Sequence, residues 1–327
     1  MGAGTGAGLS DGDGGHGPHG RDPRVAILTD DPGWHGRRLV AAFAGVGVEA
    51  VFVSLADCHL EIAGAPPTVW IPGFAGRLPR GAFVRGVPGG TLEAVILRLD
   101  CLHALEALGV LVYNSGRAVE RTVDKALTSF LLAVAGLPTP PTWICASQAE
   151  AAARVALECH GGGRLVLKPL FGSQGEGVRL VSSLVDLPPP EEVQGGVYYL
   201  QRFVEGRESG RWRDYRVFVV GGRAVAAMRR ASHHWITNRA QGAICEAVPL
   251  ASPLPELAEA AARAVNVAYA GVDLLRGPDG TYWVGEVNGV PAWMGLEEAT
   301  GYPMAQALVA HFNSLLAPEL RPAGLRI

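Results

Sequence analysis

Two stretches of the chain carry residue types whose spacing can do chemistry. The first is KPLFGSQGEG, residues 168–177, in which Lys168 precedes Gly172, Gly175 and Gly177. A lysine is a compact cation, and glycines let backbone N–H groups approach an anion closely, so the segment suits a phosphate. It is neither of two familiar phosphate loops: its glycines run G-x-x-G-x-G rather than G-x-G-x-x-G, and its lysine stands before them rather than after. Apolar runs on either side, Leu165–Leu167 and Val178–Val181, make it a β-hairpin with a cation at its mouth. A plain turn uses the same residues, and from this segment alone both readings stand. The second stretch is GVDLLRGPDGTYWVGEVNG, residues 271–289. A strand carrying Asp273 turns at Pro278-Asp279-Gly280 and returns with Glu286 and Asn288, which share a face because strand side chains alternate. Three hard oxygen donors thus converge. Mg²⁺ takes few protein carboxylates and keeps its other positions for water and phosphate oxygens, so the set suits a metal–nucleotide complex. The plainer alternative has Asp273 capping a turn and Glu286 in solvent, but Val272, Leu274, Val284 and Val287 imply a packed pair of strands.

These residues need elements to position them. RVAILTDD from Arg24 reads as a buried strand, HGRRLVAAFAGVGV as the helix covering it, and EAVFVSL as the next strand. This alternation, continued through GTLEAVILRLDCLHALEALGVLVYN, predicts a small parallel sheet ending near Asn114. SGRAVERTVDKALTSFLLAVAG follows as a helix stopped by Gly136 and prolines, then EAAARVALECHGGG as another. Strands VYYLQRFV, DYRVFVVGG, RAVAAMRR, AYAGVDLLRG and TYWVGEVNG complete the chain, without an internal repeat. At 327 residues and 48% hydrophobic, the chain can bury large cores, and its length suggests two domains. Twenty-eight basic residues against 31 acidic ones give no global charge to attract nucleic acid or an anionic membrane, so any anion site must be local. Cys58, Cys101, Cys145, Cys159 and Cys245 include no C-x-x-C pair, which fits a reducing, cytoplasmic setting. Residues 1–23, rich in glycine, read as a disordered tail rather than a signal peptide or anchor, and no stretch has the ~20 apolar residues of a membrane span.

Lys125 in RTVDKALTSFLL, Lys168 in VLKPLFGSQGEGV, then YLQRFV, DYRVFVVGGRAVAAMRR, WITNRAQGA and GVDLL with GEVNGVPAW occur in an order that resembles the ATP-grasp ligases. More narrowly, residues 24–312 resemble the RimK-type α-L-glutamate ligases. The resemblance implies an α/β protein of α+β lobes: a small parallel pre-ATP-grasp domain at 24–114, a small ATP-grasp lobe with a glycine-rich lid at 115–193, a C-terminal lobe with the metal site at 194–318, and a tail at 319–327. It also implies a reaction in which a carboxylate attacks the γ-phosphate of ATP and an amine displaces phosphate from the acyl phosphate. Lys125 and Lys168 would then neutralise phosphates under a loop containing Gly172, Ser173, Gly175 and Gly177. Arg202 and Phe203 would present main-chain groups to adenine, Gln201 would add a side-chain hydrogen bond, and Asp214 would lie near the ribose. Arg216 and Arg230 would be the catalytic cations over the transferred phosphoryl group, and Asn238 would belong to a phosphate-side segment. Asp273, Glu286 and Asn288 would hold Mg²⁺ or Mn²⁺. Read without the resemblance, Lys125 is a solvated helix lysine, Phe203 a core residue and each arginine a surface residue.

Ile236 stands where family members that modify a ribosomal protein carry arginine, which turns the expectation towards a small-molecule carboxylate, a pterin or deazaflavin cofactor, as acceptor of L-glutamate. Glutamylation of a protein or peptide carboxylate is the alternative, and a non-catalytic nucleotide-binding regulator is a third reading, opposed by the intact oxygen-donor set. The expected partners are ATP, the amino acid and the acceptor, without nucleic acid or membrane; a homo-oligomer is left open. His35, Arg37, Arg38 and Arg85 either line an acceptor pocket at the carboxyl edge of the first sheet or form a polar loop. Of His233 and His234, on opposite sides of a strand, at most one enters the site.

Overall fold

The computed structural model describes residues 21–64, 66–172 and 175–316. The chain begins with β1 (Arg21–Leu28), α1 (Gly33–Ala44) and β2 (Ala50–Val53), passes through a short ribbon of β3 (His59–Glu61) and β4 (Thr68–Trp70), and continues with β5 (Leu78–Val84), α2 (Leu92–Ala107) and β6 (Leu111–Tyr113). Strands β2-β1-β5-β6 form a parallel sheet in that order. Val25–Leu28 are completely buried, as a strand covered on both faces requires. Two details differ from the sequence reading. Arg21–Pro23, assigned to the tail, belong to β1, where buried Asp22 ties Arg24 and Arg77. The LPRGAFV strand was not anticipated, because Pro79, Arg80 and Gly81 interrupt its apolar pattern.

The run expected as one helix is two, α3 (Gly116–Val123) and α4 (Lys125–Val134), broken at Asp124. Then come β7 (Thr142–Cys145), α5 (Gln148–Glu158), β8 (Leu165–Lys168), β9 (Arg179–Val181) and β10 (Tyr198–Arg202), forming an antiparallel sheet of order β7-β10-β8-β9 with its own small core. The hairpin read from the glycine-rich segment is β8–β9, paired from Leu165↔Val181 to Leu167↔Arg179. The last part holds β11 (Arg207–Glu208), β12 (Arg211–Val220), β13 (Arg223–Ser232), β14 (Ile244–Val248), α6 (Leu254–Val265), β15 (Tyr269–Arg276), β16 (Tyr282–Asn288), α7 (Met294–Thr300) and α8 (Met304–Leu316). Its antiparallel sheet has the order β14-β13-β12-β15-β16. One face of that sheet is apolar: Val217, Val219, Val272, Leu274, Val284 and Val287 pack against Ala258, Ala261, Ala262 and Val265 of α6. Period-two alternation therefore turns the polar residues of the same strands to the other face.

The first and last sheets are not separate bodies. Phe43, Phe83 and Tyr113 share one core with Phe218, Tyr269, Trp293 and Phe312. Asn114, fully buried, donates to the carbonyls of Tyr269 (2.8 Å) and Gly289 (2.7 Å) and accepts from the amides of Ala268 (2.7 Å) and Tyr269 (3.2 Å). The middle sheet packs a core of its own and stands across a cleft from the polar face. Among the described residues no helix is long and apolar enough to cross a membrane.

Candidate active site

Strand register builds the polar face. Asp214 pairs with Arg230, Arg216 with Asp273, and Asp273 with Glu286, so β12, β13, β15 and β16 present these side chains in one row. Two positions on, Gly271 faces Asn288. Beyond Asp273 the register shifts by one residue, which lets β16 fit Gly285 into the ladder.

Within the row the charges are tightly matched. Arg216 grips Asp273 with Nε (2.6 Å) and Nη2 (2.7 Å). Arg230, 3% exposed, grips Asp214 in the same two-pronged way (2.6 and 2.5 Å) and reaches Asp273 at 2.9 Å. Thr237 donates to Asp214 at 2.6 Å. Burial pushes the Asp273 carboxyl up, but the guanidiniums of Arg216 and Arg230 outweigh it and hold it down at about 2. Glu286, by contrast, makes no hydrogen bond or ion pair among the described residues, although it lies opposite Asp273 and in the field of both lysines.

Two lysines complete the cleft, Lys168 from the middle sheet and Lys125 from α4, which packs on α6 and β16. Asp124, in extended conformation, accepts from the amides of Ala126 (2.9 Å) and Leu127 (3.1 Å), an N-cap that starts a new helix. Lys125 is thereby the first residue of α4 rather than a mid-helix surface lysine, and its Nζ donates to the Gly172 carbonyl at 2.7 Å. Lys168, at the end of β8, donates to Gln201 Oε1 at 2.7 Å. Burial lowers the pKa of both, and neither has a carboxylate within ion-pair distance among the described residues. Two partly desolvated cations without counter-ions are a local anion site in a chain with no net basic charge.

Lys125, Lys168, Gly172, Gly175, Gln201, Arg202, Phe203, Asp214, Arg230, Asn238, Asp273 and Glu286 line one cavity. Ser173 lies outside the described residues, while Gly177 packs on Pro169 instead. Gly175 (φ +76°) docks against Ile236, Gln241 and Asn238, so the glycine loop touches the 235–241 segment directly. Arg216 reaches the cavity only through Asp273, and Asn288 stands at the end of β16 with its Oδ1 accepting from the Val290 amide at 3.0 Å.

Several side chains differ from the expected placement. The Gln201 amide is consumed by Lys168, Thr142 (3.0 Å) and Tyr199 (3.1 Å), so it orients a lysine and is not free for a base. Both oxygens of Asp214 are occupied by Arg230 and Thr237, not turned to a ribose. Arg216 and Arg230, expected to face phosphates, spend their forked edges on carboxylates. The Arg202 side chain is exposed and pairs with Glu158 at 2.6 Å, leaving only its main chain for the cleft. His233 and His234 follow β13 in a bend rather than on the strand, His234 Nδ1 accepts from the Ile236 amide, and neither lines the cavity. The aromatic wall was missed: Phe203 meets Trp212 and Trp235 edge to face, with Arg164 over its ring, and Val166 and Leu275 add apolar surface. Its signal was present in the aromatic spacing of QRFV, RWRD and HHWI.

The donor set fits a divalent cation. Carboxylates directly opposite on neighbouring strands repel unless cations neutralise them; of the pair Asp273 and Glu286, arginines neutralise Asp273, and Glu286 is left without an ion pair among the described residues. Among the described residues no group of three His, Cys, Asp or Glu is placed to hold a metal ion; Mg²⁺ takes few protein carboxylates and keeps water and phosphate oxygens in its shell.

A cleft between two antiparallel sheets, lined by two lysines and a carboxylate row and joined to a parallel α/β unit, defines an ATP-grasp ligase. A family model described as the RimK-like ATP-grasp domain matches residues 122–312, and the chain belongs to that family. It is similar to the tetrahydromethanopterin:alpha-L-glutamate ligase of Methanosarcina acetivorans, 32% identical over 325 residues that cover 88% of this chain and 98% of that protein. The protein of the same name from Methanococcus maripaludis is 36% identical over 233 residues, covering 70% and 77% of the two chains. Among solved structures, ATP-grasp ligase PsnB in complex with its minimal precursor, Mg and ADP superposes with a TM-score of 0.65 at 21% identity, covering 90% of this chain and all of that one.

Proposed function

We propose that this ligase joins the amine of L-glutamate to a carboxylate of a small molecule, consuming ATP. A carboxylate oxygen attacks the γ-phosphorus, the bond to the β-phosphate oxygen breaks, and ADP leaves. The amine nitrogen then attacks the acyl carbon, phosphate departs and the amine proton is lost, giving an amide. The observation that carries this reading is the Arg216–Asp273–Glu286 row, whose carboxylates share one cavity with Lys125 and Lys168.

The chain's own groups divide the work. Lys125 and Lys168 bind phosphate oxygens, Gln201 orients Lys168, and the loop containing Gly172 and Gly175 excludes water that would hydrolyse the acyl phosphate. Arg216 and Arg230 fix Asp273 ionised and correctly aimed. Asp273, Glu286 and Asn288 would hold Mg²⁺, which supplies charge neutralisation at the phosphates. Phe203, Trp212, Val166 and Leu275 give the apolar wall for a purine. The small-molecule acceptor is supported by Ile236 at the loop contact and by the names of relatives that match 88% and 70% of the chain.

Incubation with ATP, Mg²⁺, L-glutamate and a panel of pterin, deazaflavin and peptide carboxylates tests this. One panel member should gain the mass of a glutamyl residue, with one ADP and one phosphate released per amide. ATP consumption without any amide would overturn the reading.

A further inference from the structure

We propose that the cavity at the carboxyl edge of the first sheet, lined by Trp34, His35, Arg85 and Met294, binds a carboxylate group of one of the two substrates joined by the ligase. This rests on the reading above and assigns a site that the phosphate cleft does not contain.

Arg85, just beyond β5, is the central group. It is half-buried, its guanidinium stacks on Trp293 at 4.6 Å, and Nη1 donates to the Pro291 carbonyl at 2.9 Å. No carboxylate among the described residues forms an ion pair with it. A desolvated guanidinium without a counter-ion is costly unless a ligand supplies one. Arg38 cannot share this role, because it pairs with Glu297, and Arg37 does not line the cavity.

His35 adds a neutral donor. Its Nε2 accepts from the amides of Trp293 (3.1 Å) and Met294 (3.3 Å), so the proton sits on Nδ1, for which the described residues offer no partner. Burial, with Arg85 and Arg239 nearby, pushes the ring's pKa down to about 4, keeping the imidazole neutral at neutral pH. Behind it, the completely buried Trp293 has an indole N–H without a partner among the described residues. The exposed Asp30 and Asp31 also line the cavity and can accept N–H groups carried by the same ligand.

The cavity adjoins the reaction site. A Cβ at Gly271 would touch both Pro291, which holds Arg85, and Arg216, which holds Asp273. L-glutamate and a glutamate-accepting pterin both offer the required chemistry, and the experiment separates them.

Calorimetry of wild type, Arg85→Met and Arg85→Lys, each loaded with a non-hydrolysable ATP analogue and Mg²⁺, would use L-glutamate and tetrahydromethanopterin as probes. Wild type should bind at least one. Arg85→Met should weaken that probe roughly ten- to hundredfold, Arg85→Lys should retain part because charge survives and the fork does not, and nucleotide affinity should stay unchanged. The weakened probe identifies which substrate occupies the cavity. If Arg85→Met does not fold, Arg85→Lys decides by the same criterion. Equal affinities in wild type and variants, or no binding of either probe to wild type, would overturn the site. Amide formation with unaltered KM in both variants would overturn the site and leave the ligase reading standing. Probe binding lost in Arg85→Met without amide formation by wild type would support the site and overturn the ligase reading.

Discussion

Glu286 and Asp273 face one another on adjacent strands, yet only Asp273 is neutralised by arginines. We propose Glu286 as the carboxylate that meets the cation, and on that reading Glu286→Gln should cut amide formation by about a hundredfold or more. Melting should be little changed, because the side chain makes no hydrogen bond that holds the fold. Wild-type turnover in that variant, measured by ADP release, would remove Glu286 from the site. The lysines give a pH signature. Burial sets the pKa of Lys125 and Lys168 below the ordinary value of 10.5, so in the free protein they lose their protons at lower pH than a solvated lysine. Bound phosphate needs both charged. ATP affinity should thus be flat below the depressed pKa and fall as pH rises above it. The sign for stability is opposite: the unfolded chain binds these protons more tightly, so between the depressed pKa and 10.5 stability rises with pH. Lys168→Arg, charged throughout, should make ATP binding weaker at neutral pH and less pH-dependent. Identical titration curves of ATP affinity in the two proteins would contradict this.

Among elements, the loop between β8 and β9 depends on conformation more than on composition. Gly175 sits at φ +76°, and a Cβ there would lie 2.8 Å from Ile236 Cγ2 and 3.1 Å from Gln241 Nε2. A β-branched residue is opposed by both the backbone and the neighbour. Gly175→Val should lower turnover about tenfold or more while shifting the melting temperature by only a few degrees, since the loop carries little of the core. Adding Ile236→Ala should relieve the clash and restore part of the activity, leaving the backbone strain. A double variant no better than the single one would mean that the loop does not dock on the 235–241 segment during turnover. The Asp124 cap illustrates the same point: RTVDKALT has continuous helical spacing, and a single side chain accepting two amides ends one helix and starts another. Sequence periodicity registers both helices and not the break, yet the break is what aims Lys125 at the cleft.

The molecule as a whole is stitched at Asn114. The residue expected to end the first domain makes four hydrogen bonds to the last sheet and its following turn, and the aromatic core runs through the seam. Asn114→Ala should cost about 2–4 kcal/mol, because it strands buried backbone groups. Residues 24–114 expressed alone should show no cooperative transition, since Phe83 and Tyr113 would lose Tyr269 and Phe312 as neighbours. A fragment that melts cooperatively would establish the first sheet as an independent unit.

Local chemistry in the sequence already specified the βαβ rhythm, the β8–β9 hairpin and the return of Glu286 and Asn288 on one face, because alternation and glycine turns act over a few residues. The order of the Lys125, Lys168, Asp273 and Glu286 motifs carried the family in the same way. Which partner each polar side chain takes was not legible. Asp214, Gln201 and Arg230 were read as ligand-facing, and whether they meet a ligand or a protein group depends on strand register across four chain segments. His35 and Arg85 were legible as candidates, but only the packing of the Trp293–Met294 backbone on α1 fixed the tautomer of one, and only the assembled fold shows the other without an ion pair among the described residues. Register and desolvation are properties of assembled sheets, and only the tertiary structure decides them.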